Sequence, residues 1–369
     1  MHLTSERRKS GASHRYGMVQ CIMDGMTRAK ERGSKLRVYC ADTPVELPNQ
    51  LCLFLKPGAA ETHPGANCEE ILELVLTKIG TFKLHIDEVH VLPWQYLQQH
   101  RIMNQHYGVL DCLARNAAAC MSDQMRRRFR EVYGVESSDV DLLGGFEFVE
   151  RFKDVSPVAL DLIWSNVEHQ RLASGCFCGR VKVGNEIVFV INGFTPRQLE
   201  TYADPRVAIA VFVLTGRASW YDLRMYFVGK SNPREAAPGS IRNELFMNRI
   251  ALGIRDLGIA TNGAHLSAGP VEALAELRRF TSDFTSARRR PSTDLQFGRK
   301  LACRFTPEQI DSILLNPMIE VDGQKRSVFD LTEEMDEVMA VELLTSVGDQ
   351  IGSLRWIGSE RSSGAVAES

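Results

Sequence analysis

Apolar residues along this chain change their beat several times, and each beat predicts an element. LCLFLKPGAA, residues 51–60, is an apolar run ending at Lys-Pro-Gly, which predicts a buried strand entering a turn. In CEEILELVLTKIG, 68–80, the residues Ile71, Leu72, Val75, Leu76 and Ile79 recur at helical spacing, and Gly80 supplies a stop. TFKLHIDEVHVLP, 81–93, alternates Phe82, Leu84 and Ile86 and repeats the apolar beat at Val89 and Val91, so a second strand is expected. The stretch 94–121 is helical by pattern. CFCGRVKVG and NEIVFVINGF read as two strands joined across Val183-Gly184-Asn185, a hairpin signal. TPRQLETY starts with a Thr cap and a Pro and reads as a helix. DPRVAIAVFVLTG reads as a core strand and ASWYDLRMYFVG as an amphipathic helix. Two strand-helix-strand passes with antiparallel pairing predict an α+β, ferredoxin-like sandwich, a four-stranded antiparallel sheet with helices on one face.

The flanks follow other patterns. Residues 1–48 carry Arg7, Arg8, Lys9, Arg28, Lys30 and Arg32 with few large apolar residues beyond MVQCIM, and read as a solvated arm with one helix. Between about 108 and 185 lies a mainly helical insertion, with the cluster MRRRFREVYG as a solvated helix face, a Gly144-Gly145 turn and a helix around 156–173. After residue 280, TSARRRPST reads as a linker. FTPEQIDSILL opens with a capping box at Thr306 and Gln309, and LTEEMDEVMAVELL is an acid-led helix. The expected organisation is therefore an extension over 1–48, a main domain over 49–280, and a helical extension over 281–369 with a disordered tail.

Composition narrows the class. With 369 residues, 44% of them apolar, the chain can bury a large core. Its formal net charge of −2 leaves no overall electrostatic footprint for nucleic acid. The longest apolar stretches, such as VAIAVFVL, are far too short to span a bilayer, and no apolar signal segment follows the basic N-terminus, so no membrane partner is expected. Nine scattered cysteines suit reduced thiols in a cytoplasmic protein, and Cys176-Phe-Cys178 alone is a weak zinc signal.

The chemistry converges on TNGAHLSAGPVEALAEL, 261–277. One histidine, His265, is held between an Asn-Gly turn and a Ser-Ala-Gly-Pro turn, with Glu276 on the helix that follows. Most lone histidines fill core or surface. This one is accompanied elsewhere by cations and a Pro-Gly-rich hydroxyl loop, which a phosphate-accepting imidazole needs.

Three segments, LFLKPGAA at 53–60, VGKSNPREAAPGSIRNEL at 228–245 and NGAHLSAGPVEALAEL at 262–277, together resemble the nucleoside diphosphate kinase family. The resemblance covers roughly 51–107 and 186–280. It implies that His265 is transiently phosphorylated, with Glu276 orienting it and Ser267 beside both. It implies Lys56 as a contact to the terminal phosphate and the sugar, and Tyr107 as the phenol beside the phosphohistidine. Arg224, Ser231 and Arg242 would hold phosphates, with serine replacing the more usual threonine. Asn262 would bond the ribose hydroxyl, and Phe194 would stack on the base with Ile259 opposite. The implied reaction moves the terminal phosphate of ATP or another nucleoside triphosphate to a nucleoside diphosphate, in two steps through one pocket. Mg2+ would be carried by the nucleotide phosphates with no protein metal ligand. Nucleoside di- and triphosphates are thus the implied partners.

The chain departs from that pattern. Gly58 stands where an Asp follows Lys-Pro, and Ala268 where an acid follows the serine. The insertion after Tyr107, and about ten extra residues between Arg242 and His265, bear on the surfaces through which the family forms homo-oligomers. A second function class is a nucleotide-binding regulatory module in which the insertions block turnover, and a third reading keeps the chemistry with a specialised nucleotide or a protein as acceptor. Retention of a nucleophile with its cations favours catalysis, since a binding module has no need of one.

Overall fold

The computed structural model describes residues 3–353 apart from Pro44, residues 60–66, Asp256, Ala260 and Ala287. The tail expected to be disordered lies outside the described residues. The chain begins with helix α1 (Leu3–Arg32), then strands β1 (Leu36–Cys40) and β2 (Asn49–Leu55), helix α2 (Cys68–Thr81) and strand β3 (His85–Pro93). Helix α2 has the predicted apolar face, with Ile71, Leu72, Val75, Leu76 and Ile79 buried, and Asn67 caps its start through Glu70 N–H. A run of short helices follows, among them α3 (Ile102–His106), interrupted where Arg101 takes a left-handed conformation at φ 49°. The single helical stretch expected over 94–121 is thus broken into pieces.

The insertion is rich in helices, as expected, but it also holds strands β4 (Leu142–Gly144), β5 (His169–Ala173) and β6 (Cys176–Val183), which with β7 (Glu186–Ile191) just after it form a separate sheet in the order β4-β7-β6-β5. The hairpin predicted at Val183-Gly184-Asn185 is present as β6–β7, with Gly184 at φ +59°. The Gly144-Gly145 pair is a strand end running into a helix, Gly145–Arg151, and the helix expected to reach 173 stops at Ser165 before β5 begins. MRRRFREVYG is the helix Asp123–Tyr133 with only Phe129 buried, as a solvated face requires. Two cores, one around Phe129 and Cys178 and one around Phe148 and Trp164, belong to the insertion.

The chain re-enters the main sheet at β8 (Ala208–Gly216), turns through a π-helical segment Leu223–Val228, and passes through α4 (Ile241–Met247), β9 (Ala264–Leu266) and α5 (Pro270–Thr281). The main sheet is antiparallel throughout, in the order β1-β3-β8-β2-β9. It has five strands where four were expected, because the N-terminal arm supplies the edge strand β1. That arm is not solvated either: Met18, Val19, Ile22, Met26 and Ala29 of α1 are buried in the core that α1 and α2 share with the sheet.

Helices cover both faces of this sheet, not one. Leu51, Leu53 and Leu55 of β2 face α1 and α2, while Cys52 and Phe54 face α5, α3 and the C-terminal extension. All nine residues of β8 are buried, which explains the unbroken apolar run VAIAVFVL. The extension comprises further helices and a hairpin, β10 (Met318–Val321) with β11 (Gln324–Ser327), so it is not purely helical. Its Phe297, Leu301, Ile310, Ile313 and Leu344 complete the second core. The capping box at Thr306 and Gln309 forms as expected. Among the described residues no helix is long and apolar enough to cross a membrane. One disulfide, Cys112–Cys120, joins two short helices of the insertion, in place of the wholly reduced thiols expected.

Candidate functional site

His265 sits in the middle of the three-residue strand β9, whose neighbours Ala264 and Leu266 point into the α1–α2 core. Strand alternation therefore turns the imidazole to the opposite face. It is paired there in register with Phe54 of β2, and the two rings stack at 4.6 Å between centroids. The chain then turns at Gly269 into α5, which lies on the same face and brings Glu276 back to the histidine. A side chain at Gly269 has no room, since a Cβ there would lie 2.4 Å from Thr332 O of the C-terminal extension.

Glu276 joins three groups. Its Oε1 lies 2.7 Å from His265 Nε2 and 3.3 Å from His106 Nδ1, and its Oε2 accepts from Ser267 Oγ at 2.6 Å. Ser267 is anchored through its N–H to Cys52 O. Burial pushes the Glu276 carboxyl up to about 8, opposed by the Ser267 hydroxyl and the Arg279 guanidinium. Burial likewise lowers the His265 pKa well below its usual range, aided by Lys56, Arg242, Arg224 and Arg279. Oε1 and Nε2 are joined by one hydrogen bond whose direction follows the tautomer; when Nε2–H donates to the carboxylate, the ring's lone pair lies on Nδ1. The imidazole is neutral, and 16% of its side-chain surface remains exposed.

The cations come from three segments. Lys56, at the end of β2, is buried and tied through its N–H to Gly263 O, and burial with the nearby Arg242 brings its pKa down to about 7. Arg242 on α4 is a clamp between loops: Nε and Nη2 donate to Ala264 O, next to the histidine, and Nη1 donates to Gly229 O at 2.6 Å. Arg224, on the π-helical segment, reaches Glu333 at 3.0 Å and Glu334 at 3.5 Å, both from the C-terminal extension. Tyr107 packs its ring on His106 at 4.4 Å and bonds its hydroxyl to that of Tyr202 at 3.2 Å. Asn262 donates through Nδ2 to Ser231 O and Ile259 O, which ties its own loop to the one that holds Ser231. Its Oδ1 is left buried with no donor, whereas Ile259 is 61% exposed.

One predicted member lies elsewhere. Phe194 packs among Trp164 and Phe177 in a core of the insertion, at centroid distances of 6.1 and 6.2 Å, because the hairpin before it belongs to the separate sheet. It is also the residue before the helix Thr195–Thr201, so Thr195 is not the cap.

Four residues were missed. His106, buried and T-shaped against His265 at 4.6 Å, stood out in sequence only as half of a His-Tyr pair. Glu272, one turn before Glu276 on α5, is half-buried, accepts from Ala268 N–H, and is pushed up to about 8 by desolvation and by Glu276. The Glu333-Glu334 pair was visible only as the acidic lead of a helix, which here begins later, at Glu337.

No protein-family model matches this chain, and comparison with curated proteins likewise finds no match. The chemistry of the site has to be read from its own residues.

Proposed function

We propose that the protein is a phosphotransferase of the nucleoside diphosphate kinase type, working through phosphorylation of His265. The observation that carries this reading is the Ser267–Glu276–His265 hydrogen-bond chain beside the cations Lys56, Arg224 and Arg242; in the Nε2–H tautomer Nδ1 is the attacking atom. In the first step Nδ1 attacks the terminal phosphorus of a nucleoside triphosphate. The N–P bond forms, the bond from that phosphorus to the bridging oxygen breaks, and the diphosphate leaves. In the second step an oxygen of an acceptor diphosphate attacks the same phosphorus and the N–P bond breaks. The protein's work is positioning and charge stabilisation.

The fold supports the reading. Strands β2, β3, β8 and β9 with their connecting helices follow a βαββαβ path, and the order β3-β8-β2-β9 is that of a ferredoxin-like sandwich, to which β1 adds an edge. The unpartnered Asn262 Oδ1 suits a ribose hydroxyl donor. Mg2+ would arrive on the phosphate oxygens, since a hard cation finds few oxygen ligands among the imidazoles and cations around His265. With Phe194 in the insertion core, the base is left to Ile259 and its neighbours, so base selectivity is expected to be broad.

Incubation of the full chain with terminally labelled ATP should give an acid-labile, base-stable phosphoenzyme that unlabelled diphosphates discharge. His265→Gln should abolish the label. Label that survives this substitution, or none on the wild-type chain, rejects the proposal.

A further inference from the structure

We propose that His106, His265 and Glu276 form a binding site for a borderline divalent transition-metal ion such as Zn2+. Their donor atoms, one from each residue, all lie within 4.8 Å of one another. Oε1 is 2.7 Å from His265 Nε2 and 3.3 Å from His106 Nδ1. Ligands about 2.0–2.1 Å from a shared zinc are separated by about 3.0–3.4 Å, so the His106 edge already has that length and the His265 edge, now a hydrogen bond, would open by a few tenths of an ångström as the metal replaces its proton. His106 Nδ1 is buried, with 4% of the side chain exposed, and it makes no hydrogen bond even to the neighbouring carboxylate. A buried imidazole nitrogen aimed at a carboxylate and a second imidazole is a donor lacking its acceptor. Ser267, bonded to Oε2, fixes the carboxylate as outer-shell partners do in metal sites.

The donor set selects the ion. Two imidazoles and one carboxylate suit Zn2+, Co2+, Ni2+ or Cu2+, and are poor for Mg2+. Lys56, Arg224, Arg242 and Arg279 oppose a dication, but Glu333 and Glu334 pair with Arg224 and offset part of that charge, and a bound dication would itself draw the proton from the Glu276 carboxyl.

Metal binding and phosphoryl uptake exclude each other, a consequence that rests on the proposed function although the site itself does not. A neutral imidazole has one ring-nitrogen lone pair. When Nε2 of His265 gives it to the metal, the proton shared with Glu276 moves to Nδ1, and Nδ1 can no longer attack.

The test uses the full chain, stripped with a chelator and titrated with Zn2+ by calorimetry. One tight equivalent is expected, with affinity lowered at least about 10-fold in His106→Gln and in Glu276→Gln at unchanged far-ultraviolet dichroism. Equal affinity in wild type and both variants overturns the site. If a variant fails to fold, Cu2+ bound to the wild-type chain decides by electron paramagnetic resonance. Coupling to two nitrogens supports the site, and thiolate ligation or fewer nitrogens rejects it. Phosphoenzyme labelling is run with and without Zn2+ alongside. Label lost only with Zn2+ supports mutual exclusion, label undiminished by bound Zn2+ rejects it, and no label in either sample rejects the kinase reading while the titration still decides the metal.

Discussion

Lys56 is the residue whose protonation should shape the reaction most directly. Burial and Arg242 hold its ammonium near a pKa of about 7, below the usual lysine range. It is charged below that value and neutral above it, whereas His265, held well below its usual range, stays neutral throughout. At subsaturating ATP, where the free protein's titrations govern the rate, phosphoenzyme formation should therefore fall as pH rises from about 6 to about 8. Lys56→Arg should flatten that fall, because a guanidinium keeps its charge. A wild-type profile that instead rises through this window would mean that ionisation of the Glu276 carboxyl, raised to about 8, and not the lysine, limits the reaction. His265, Glu276 and Ser267 were legible in the sequence because a strand residue, a turn and a helix residue eleven positions on form a local return of the chain. His106 was not, because its approach to Glu276 depends on α3 meeting α5 across the sheet face, which no local spacing encodes.

Among the elements, the segment Thr332–Glu334 has the most consequence for ligand binding. Glu334 takes a left-handed conformation at φ 61°, unusual for a residue with a side chain, while its N–H donates to Ala268 O beside the site. Glu333 and Glu334 thereby meet Arg224 where phosphates would. These acids are 42% and 36% exposed, so solvent screens the pairs and each contributes ~1 kcal/mol or less. Glu333→Gln combined with Glu334→Gln should tighten binding of a non-hydrolysable ATP analogue by up to about fivefold with little change in thermal stability. Weaker binding by calorimetry would show that the acids position Arg224 instead of competing for it. The displaced Phe194 belongs to the same scale. Its place in chain order suited a base-stacking ring, but the hairpin β6–β7 leads it to the core beside the second sheet, where Trp164 packs tilted against it.

For the whole molecule, the N-terminal flank supplies an edge strand and a covering helix to the main sheet, and the C-terminal flank packs on the sheet's other face. Signals for this were present: Met18, Val19, Ile22, Met26 and Ala29 recur at three- and four-residue intervals, and a strand as uniformly apolar as β8 calls for cover on both sides. The basic residues scattered through the first 32 positions masked the first signal. Much of what covers the second face lies in the C-terminal extension, far downstream of β8, and could not be matched to it by pattern alone. Ile22→Ala, fully inside the α1–sheet core, should cost about 2–5 kcal/mol of stability, measured by denaturant unfolding. A solvated arm would instead show a change within about 0.5 kcal/mol.

The register of β3 with β8 places Pro93 directly opposite Ala208, so everything between these residues departs and returns through one rung of the ladder. To the sheet, the insertion is an oversized hairpin loop. Lengthening a loop twofold adds only about 0.6 kcal/mol to its closure, so this ladder can zip whether or not its cargo has yet folded. During synthesis the ribosome will expose β3 long before β8, and the insertion then has time to collapse on its own two cores while β3 waits for its neighbour.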